Sequence, residues 1–337
     1  MGGKALNKYG VFTERKNTAE FVEIALEIKR TLINDLKLYG EVVRCYHTKP
    51  DHGDLDLLLK VTPFYQEKNV NLKEYIQKTF KPRAVHNNGG VYSFDYRNFQ
   101  IDFIPVDKSK WDVAQTYYSY DPLGNIMGKT YHKFGLSYGW DGLFYKFRNF
   151  NGRNSQNILL TTDVERIFSF GGYDFKRYLD GFDTLEEIFK YAISSKYFDS
   201  EILQFDNLKH IDKKRNRKRG SYHKFLKYLE ENNIDQRFPF ADDKSAYLPM
   251  IDRAFPEVKF MEKLEKLREE DELNKKLAEK FNGRLVMEWL PNLKGKELGN
   301  AMSNFKKTLK ETYNDTILDN STEELHKLFL EHYGRPE

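Results

Sequence analysis

The chain has 337 residues, of which 39% are hydrophobic and 31% are charged. This composition is typical of a folded globular protein rather than a disordered one, and the length is sufficient for two or three folding units. The formal net charge of +4 is too small to indicate a partner, so the distribution of charge matters more. No run of eighteen apolar residues occurs, which excludes a membrane-spanning helix.

The N-terminus and the cysteine content exclude further classes. No apolar signal-peptide core follows Met1, and Leu6 stands where a myristoylation signal requires Ser or Thr. Cys45 is the only cysteine, so disulfide scaffolds and zinc sites built on thiolates are excluded. We therefore expect a cytoplasmic protein that works in a reducing, intracellular compartment.

The first part of the chain predicts a mixture of helices and strands. Apolar residues recur at helical spacing from Phe21 to Leu36, just after Asn17 and Thr18, either of which can cap a helix. A short helix is predicted at 73–80, and 97–99 joins the last two predicted strands as a hairpin. The predicted strands are 41–46, 55–61, 91–96 and 100–106. This order predicts an α+β fold with a mixed or antiparallel sheet.

Helices dominate the predictions for the second half of the chain. Periodicity fades between residues 111 and 150, where glycine and aromatic residues are frequent. Capping-box patterns begin at Thr162 and Thr184, each ahead of a helical run. A long charged amphipathic helix is predicted between Pro256 and Gly283. We predict three segments: an α+β domain at 1–150, a helical domain at 151–240 and a C-terminal helical domain at 241–337.

Three aspartates form the candidate site. Asp54 and Asp56 lie two apart in a predicted strand, so their side chains project from the same face. Adjacent carboxylates repel each other, and hard divalent cations relieve that repulsion. Asp102 lies in another strand among apolar neighbours, where an unbound charge is unfavourable. The alternative is a set of solvated acids at a strand edge; the apolar flanks favour a site for two Mg²⁺ ions.

This acidic pattern resembles the polymerase beta nucleotidyltransferase superfamily. Gly53-Asp54-Leu55-Asp56 is followed 46 residues later by Asp102 between Ile101 and Phe103, and the stretch 49–56 is similar to that of family X DNA polymerases. The likeness covers roughly residues 20–150. It implies a nucleotidyltransferase palm, catalysis with two Mg²⁺ ions that Mn²⁺ can replace, and transfer of a nucleotide from a nucleoside triphosphate to a hydroxyl group.

One part of the family pattern is missing. The family places Gly-Ser about ten residues before the first aspartate to hold the terminal phosphates, and Val43 and Arg44 occupy those positions here. Arg44 can contact phosphate by charge, but the close backbone approach that glycine allows is lost. His47 and Lys49 lie in the following turn, where they either hold phosphates or are ordinary loop residues. Gly53 completes the predicted nucleotide contacts of this turn.

The segment 117–125 resembles the family X region that contacts the sugar and base of the incoming nucleotide. In that likeness Tyr118 lies against the sugar and Asn125 reads the base edge. Residues 122–125 also read as an ordinary turn, so both interpretations stay open.

A basic run indicates an acceptor with phosphates. Between 213 and 219 six of seven residues are cations: Lys213, Lys214, Arg215, Arg217, Lys218 and Arg219. Such a cluster gives sequence-independent, salt-dependent affinity for nucleic acid; the alternative is a solvated helix end. We therefore assign residues 151–240 as a thumb-like, nucleic-acid-binding domain.

A second basic turn precedes a predicted helix near the C-terminus. Its lysines, Lys294 and Lys296, lie where a helix N-terminus can take a phosphate. The turn weakly resembles one in the tail domains of bacterial tRNA nucleotidyltransferases, and a structural helix–turn–helix explains it nearly as well.

Together these patterns predict an α+β nucleotidyltransferase palm followed by mainly helical domains. The predicted activity is the addition of nucleotides to the 3′-hydroxyl of a DNA or RNA strand, with template use open. The alternatives are tRNA-like 3′-end addition, nucleotidylation of a protein or small molecule, and an inactive palm that only binds nucleic acid.

Overall fold

The computed structural model describes residues 3–62 and 70–333, except the side chains of residues 154 and 155. The described chain forms two compact units. The first contains residues up to 146 together with 159–258, and the second contains 147–158 together with residues from 259 onward. The first unit thus includes most of the predicted α+β segment and most of the segment predicted as a second, helical domain.

The first unit begins with a helix and a set of strands. Helix α1 spans Thr18–Leu36 and has a capping box: the Asn17 side chain accepts from the Glu20 backbone N–H, and the Glu20 carboxylate accepts from Asn17. The predicted first helix is therefore confirmed. The next helix in the described part of the chain is α2 (Leu72–Phe80). The strands are β1 (Lys16–Asn17), β2 (Gly40–Val42), β3 (Asp51–His52), β4 (Asp54–Val61), β5 (Val85–Asn88), β6 (Val91–Tyr96) and β7 (Phe99–Asp107).

The main sheet is mixed. Within the described chain it has five strands in the order β2-β4-β7-β6-β5. β4 and β7 run parallel, whereas the other neighbours are antiparallel, so the predicted α+β class is confirmed. The β6–β7 hairpin turns on only two residues, Arg97 and Asn98, both with positive φ. Phe99, predicted as part of the turn, belongs to β7.

Side chains of β4 alternate between two faces of the sheet. Leu55, Leu57 and Leu59 are fully buried in a core shared with α1 and α2. Asp54 and Asp56 project from the opposite face. Further along that face Leu58 joins a smaller apolar cluster. The acids therefore lie at the start of a face whose far end is apolar.

Residues 111–150, where the sequence periodicity fades, form regular structure that continues to residue 161. They form the helices α3 (Trp111–Tyr118) and α4 (Leu123–Lys133) and the strands β8 (Leu136–Gly139), β9 (Gly142–Arg148) and β10 (Asn154–Thr161). These strands pair in the order β10-β9-β8. Helix α4 buries residues on most of its sides, so it shows no single apolar stripe. A helix of this kind escapes a search for amphipathic periodicity.

The rest of the first unit is helical. Thr184 caps the helix that begins at Leu185, as predicted, because its side chain accepts a hydrogen bond from the Glu187 N–H. The Glu187 carboxylate accepts from the Asp183 N–H rather than from Thr184, so only half of the predicted capping box forms. The capping box predicted at Thr162 is wrong by one residue, because the Asp163 side chain accepts the hydrogen bond from the Arg166 N–H. The helices are α5 (Val164–Phe170), α6 (Phe175–Leu179), α7 (Leu185–Ile193), α8 (His210–Asn216), α9 (Gly220–Glu231) and α10 (Leu248–Ala254).

The second unit has its own helical core. Leu277, Phe281, Phe305 and Phe329 are buried together in it. The long helix predicted between Pro256 and Gly283 is confirmed as the first of its helices, which are α11 (Phe260–Lys280), α12 (Gly283–Trp289), α13 (Gly295–Leu309), α14 (Tyr313–Asp319) and α15 (Thr322–Tyr333). Across the described ranges, no helix combines the length and the apolar character needed to cross a membrane.

Candidate active site

Asp54, Asp56 and Asp102 lie together on one face of the main sheet. In the parallel pair of β4 and β7, Asp56 is directly opposite Asp102, and Asp54 is directly opposite Gln100. Residues paired in this way project from the same face, and so do residues two apart on one strand. The structure therefore brings the three predicted catalytic residues together, although 46 residues separate Asp56 from Asp102 along the chain.

Burial and mutual repulsion disfavour the charged forms of these acids. Burial raises the pKa of Asp102 to about 7, and the charge of Asp54 adds to that shift. Burial, followed by the charges of Asp54 and Asp102, raises the pKa of Asp56 well above its ordinary value. Burial also raises the pKa of Asp54, against the lowering effects of the Gly3 amide and Lys49. The three carboxylates repel one another when charged, and a bound cation would relieve that repulsion.

Hydrogen bonds hold two of the carboxylates. The Gln100 side-chain amide donates to both oxygens of Asp102 at 3.0 Å, and the Gly3 backbone N–H donates to Asp54 Oδ2 at 3.0 Å. The Ala5 N–H in turn donates to the Gln100 side-chain oxygen at 2.9 Å. Gln100 thus links the N-terminal segment to the acids. Sequence reasoning missed it, although a buried amide two residues before Asp102 on the same face is a usable signal.

Two properties of this site bear on metal binding: the chemistry of its side chains and the positions of those side chains. Three carboxylates on one face supply the oxygen ligands that Mg²⁺ and Mn²⁺ prefer. As the side chains are placed, however, the described His, Cys, Asp and Glu residues include no group of three or more that could hold a metal ion. The donor chemistry fits a divalent cation, whereas metal binding itself stays a prediction.

Asp54 and Asp56 line a cavity of about 830 Å³ in the first unit. Two predicted sets of residues meet there. From the predicted nucleotide-binding set the lining includes Arg44, Lys49, Gly53 and Tyr118, and from the basic run it includes Arg215, Lys218 and Arg219. Burial raises the pKa of the Tyr118 phenol, so this side chain presents a neutral ring and hydroxyl to the cavity at physiological pH.

Two residues predicted to bind the nucleotide are placed differently. The His47 ring pairs with the Asp183 carboxylate at 2.7 Å, and His47 is not part of the cavity lining. Asn125 lies in the first turn of α4, also outside that lining. Its side-chain oxygen is buried and has no hydrogen-bond partner among the residues that the structure describes. The structure therefore does not bring His47 or Asn125 to the acids.

The remaining basic residues fall into two groups. Lys213, Lys214 and Arg217 belong to the same run as the cavity cations but do not line the cavity. Lys294 and Lys296 belong to the second unit, at the start of α13. The single predicted nucleic-acid-binding set is thus distributed over three places in the molecule.

Several cavity residues escaped the sequence predictions. Arg15 lines the cavity and pairs with Asp51 at 2.6 Å. Asp121 accepts a hydrogen bond from the Ser221 hydroxyl and lies 3.8 Å from the Arg219 guanidinium. Lys224, Tyr46 and Tyr120 also contribute to the lining. Asp121 and Ser221 are 100 residues apart in the chain, so no local pattern could have indicated their contact.

Comparison with known proteins gives matches in structure only. Neither the protein-family models nor the curated proteins contain a match to this chain. Similar solved structures include two of Leishmania infantum polymerase beta, a ternary P/T complex and a ternary gap complex, each with 14% sequence identity, a TM-score of 0.34 and 40% of this chain covered. The match covers 59% and 52% of those two chains, so this chain spans little more than half of their length. At this TM-score the likeness does not establish a shared fold.

Proposed function

We propose that this protein is a metal-dependent nucleotidyltransferase that adds nucleotides from a nucleoside triphosphate to the 3′-hydroxyl of a DNA or RNA strand. One observation carries the proposal: Asp56 is paired with Asp102, with Asp54 on the same face, beside a cavity rich in Lys and Arg. Clustered acids alone suit a cation, and clustered bases alone suit an anion. A cavity that presents both suits a metal–triphosphate complex.

The three aspartates have the central role in the proposed reaction. Divalent cations held by Asp54, Asp56 and Asp102 would neutralise the triphosphate and make the acceptor hydroxyl more acidic. Asp102 accepts the proton of that hydroxyl. The hydroxyl oxygen forms a bond to the α-phosphorus, the bond between that phosphorus and the bridging oxygen breaks, and pyrophosphate leaves. Catalysis is mainly by positioning and by electrostatic stabilisation of the developing charge.

Other cavity residues orient the substrates. Tyr118 offers a flat surface against the sugar of the nucleotide. Arg44 and Lys49 face the same cavity as the acids, where their charges attract phosphate oxygens. Lys213, Lys214 and Arg217 lie outside the cavity lining, and in this proposal they neutralise phosphates of the acceptor strand.

A second candidate, the addition of nucleotides to a tRNA-like 3′ end, rests on the second unit. Lys294 and Lys296 flank the start of α13, whose first turn has no side-chain cap. Free backbone N–H groups beside two lysines suit a phosphate of a structured RNA. This candidate shares the acidic site and differs only in its acceptor.

An extension assay separates these functions. The protein is incubated with Mg²⁺ and each labelled NTP or dNTP, and with a DNA or RNA primer, a primer–template duplex or a tRNA. Extension that requires a complementary template supports polymerisation, and extension of single-stranded RNA or tRNA supports end addition. Label on the protein itself indicates nucleotidylation of protein. Absence of transfer under all these conditions, with nucleic-acid binding retained, would leave an inert binding module and overturn the proposal.

A further inference from the structure

The cations of the basic run 213–219 do not all line the same surface. Arg215, Lys218 and Arg219 line the cavity that also contains Asp54 and Asp56, and they are joined there by Lys224 from α9. The remaining cations of the run, Lys213, Lys214 and Arg217, are absent from the lining. The end of α8 and the turn into α9 therefore direct half of the run toward the acids and half away from the cavity.

The cavity has more positive than negative charge. Seven of its lining residues are Lys or Arg and four are Asp. Two cations are already engaged, since Arg15 pairs with Asp51 at 2.6 Å and Arg219 lies 3.8 Å from Asp121. The side chains of three others, Arg215, Lys218 and Lys224, are exposed and make no hydrogen bond or ion pair with any residue the structure describes. Their charges are available to an anion.

Val43 and Arg44, which follow β2, do not supply a backbone cradle for phosphates. Neither Val43 nor Arg44 is a glycine, and both backbone N–H groups are already used. The Val43 N–H donates to the Asp56 carbonyl oxygen at 3.1 Å, and the Arg44 N–H donates to the Ser119 hydroxyl at 3.1 Å. On this side of the cavity the side chains of Arg44 and Lys49 supply positive charge for a phosphate. Because Val43 and Arg44 provide no free backbone N–H, cations from another element would complete the grip on a triphosphate bound at the acids.

We infer that Arg215, Lys218 and Lys224 bind the β- and γ-phosphates of the incoming nucleoside triphosphate. This inference rests on the proposed nucleotidyltransferase function and names the residues that grip its substrate. The α-phosphate lies toward Asp54 and Asp56 on the sheet, and the terminal phosphates lie toward α8 and α9. A volume of about 830 Å³ falls in the range of roughly 300–1,000 Å³ typical of small-molecule sites.

The contact between Arg219 and Asp121 also helps to fix the helix that carries Lys224. Asp121 lies near the Arg219 guanidinium and accepts a hydrogen bond from Ser221. Asp121 therefore holds the start of α9 beside the cavity. With this helix end fixed, Lys224, one turn further along α9, faces the cavity on a regular element. Side chains on a helix are placed more reproducibly than those on a loop.

The test measures binding without turnover. The probes are inorganic tripolyphosphate, ATP and AMP, each with Mg²⁺, and the readout is the dissociation constant from calorimetry. The cavity variant is Lys218→Gln with Lys224→Gln, and the matched control is Lys214→Gln with Arg217→Gln, which removes the same charge outside the cavity. We expect the cavity variant to bind tripolyphosphate and ATP roughly 10- to 100-fold more weakly and AMP almost unchanged.

Further variants and outcomes complete the test. Lys218→Arg with Lys224→Arg keeps both charges and should bind tripolyphosphate within about threefold of the wild type, which separates loss of charge from loss of fold. Equal loss in the cavity variant and the matched control, or no loss in the cavity variant, would overturn the assignment. Wild-type protein that binds ATP no more tightly than AMP would also overturn it. Tight, cation-dependent binding of ATP without any nucleotide transfer would instead contradict the proposed function and still support this binding site.

Discussion

Asp56 and Asp102 are direct partners across the parallel pair of β4 and β7. Each lies near the other's charge, and the charge of Asp102 helps to raise the pKa of Asp56. Such a pair lowers the stability of the fold unless a cation binds to it. Stability and activity should therefore respond in opposite directions when one of these acids is neutralised.

The first prediction concerns Asp102→Asn. The substituted amide has nearly the same shape but neither accepts a proton from the acceptor hydroxyl nor carries charge for a cation. We expect nucleotide transfer to fall by at least about 1,000-fold, measured as the extension of a labelled acceptor strand. Nucleic-acid binding and the circular dichroism spectrum should stay as in the wild type. Transfer by this variant at the wild-type rate would mean that the acidic site is not the active site.

The second prediction concerns the stability of the same cluster. Asp56→Asn removes a carboxyl group that burial and two neighbouring acids disfavour in its charged form. In the presence of a chelator, we expect the free energy of unfolding to rise by about 1 kcal/mol or more, which corresponds to roughly 2–4 °C in melting temperature for a unit of this size. The measurement is thermal unfolding followed by circular dichroism.

A matched acid and a metal titration serve as controls for this prediction. Asp51 lines the same cavity but is paired with Arg15 at 2.6 Å, so Asp51→Asn should give no stabilisation. Millimolar Mg²⁺ should raise the melting temperature of the wild type, because a ligand that binds only the folded state stabilises it. The Asp56→Asn variant should respond much less. A wild type that Mg²⁺ does not stabilise would argue against metal binding at the three aspartates.

The third prediction concerns the cations outside the cavity. Lys214→Gln with Arg217→Gln removes two charges that we propose neutralise phosphates of an acceptor strand. The slope of log affinity against log salt concentration should become shallower by about 1.8 for duplex DNA, as measured by fluorescence anisotropy over a salt series. Lys227→Gln is the control, because Lys227 pairs with Glu231 at 3.2 Å on α9 and should leave the slope unchanged. An unaltered slope in the double variant would indicate that these residues form a solvated helix end and do not bind nucleic acid.

The positions of the acids could be predicted because their signals are local. Two-residue spacing and apolar flanks are properties of the strand itself, so Asp54 and Asp56 could be placed on one face from the sequence. The pairing of Asp56 with Asp102 could not be predicted in the same way. It depends on the parallel register of two strands between which the described part of the chain includes α2, β5 and β6.

Two predictions about the site that differ from the structure depended on long-range contacts. His47 is held by Asp183, which lies 136 residues further along the chain, and no pattern near His47 reveals that partner. The basic run was predicted as one surface because a run of charges in a sequence does not show toward which side each side chain projects. The helix end at Asn216 and the turn that follows it decide which side chains reach the cavity.

The fourth prediction concerns Lys129, a buried cation on α4. The residue is 7% exposed, and its ammonium group has no hydrogen-bond partner in the parts of the chain that are described. The Tyr222 ring, 5.7 Å away, offers only a weak interaction. Lys129→Met keeps most of the volume and removes the charge, so we expect the free energy of unfolding at neutral pH to rise by about 1 kcal/mol. Urea unfolding of both proteins measures the difference.

The pH dependence of that difference tests its cause. Burial lowers the pKa of Lys129 in the folded protein below its ordinary value of 10.5, so between the folded and unfolded pKa values the unfolded chain binds more protons. The stability of the wild type therefore rises with pH through this window, whereas the Met variant has no such gain. The advantage of Lys129→Met should be full below the folded pKa and should shrink as the pH approaches 10.5. Lys190→Met is the control, since Lys190 is exposed and pairs with Glu186 at 2.8 Å. An advantage that stays constant from about pH 7 to about pH 10 would show that packing, and not the buried charge, is responsible.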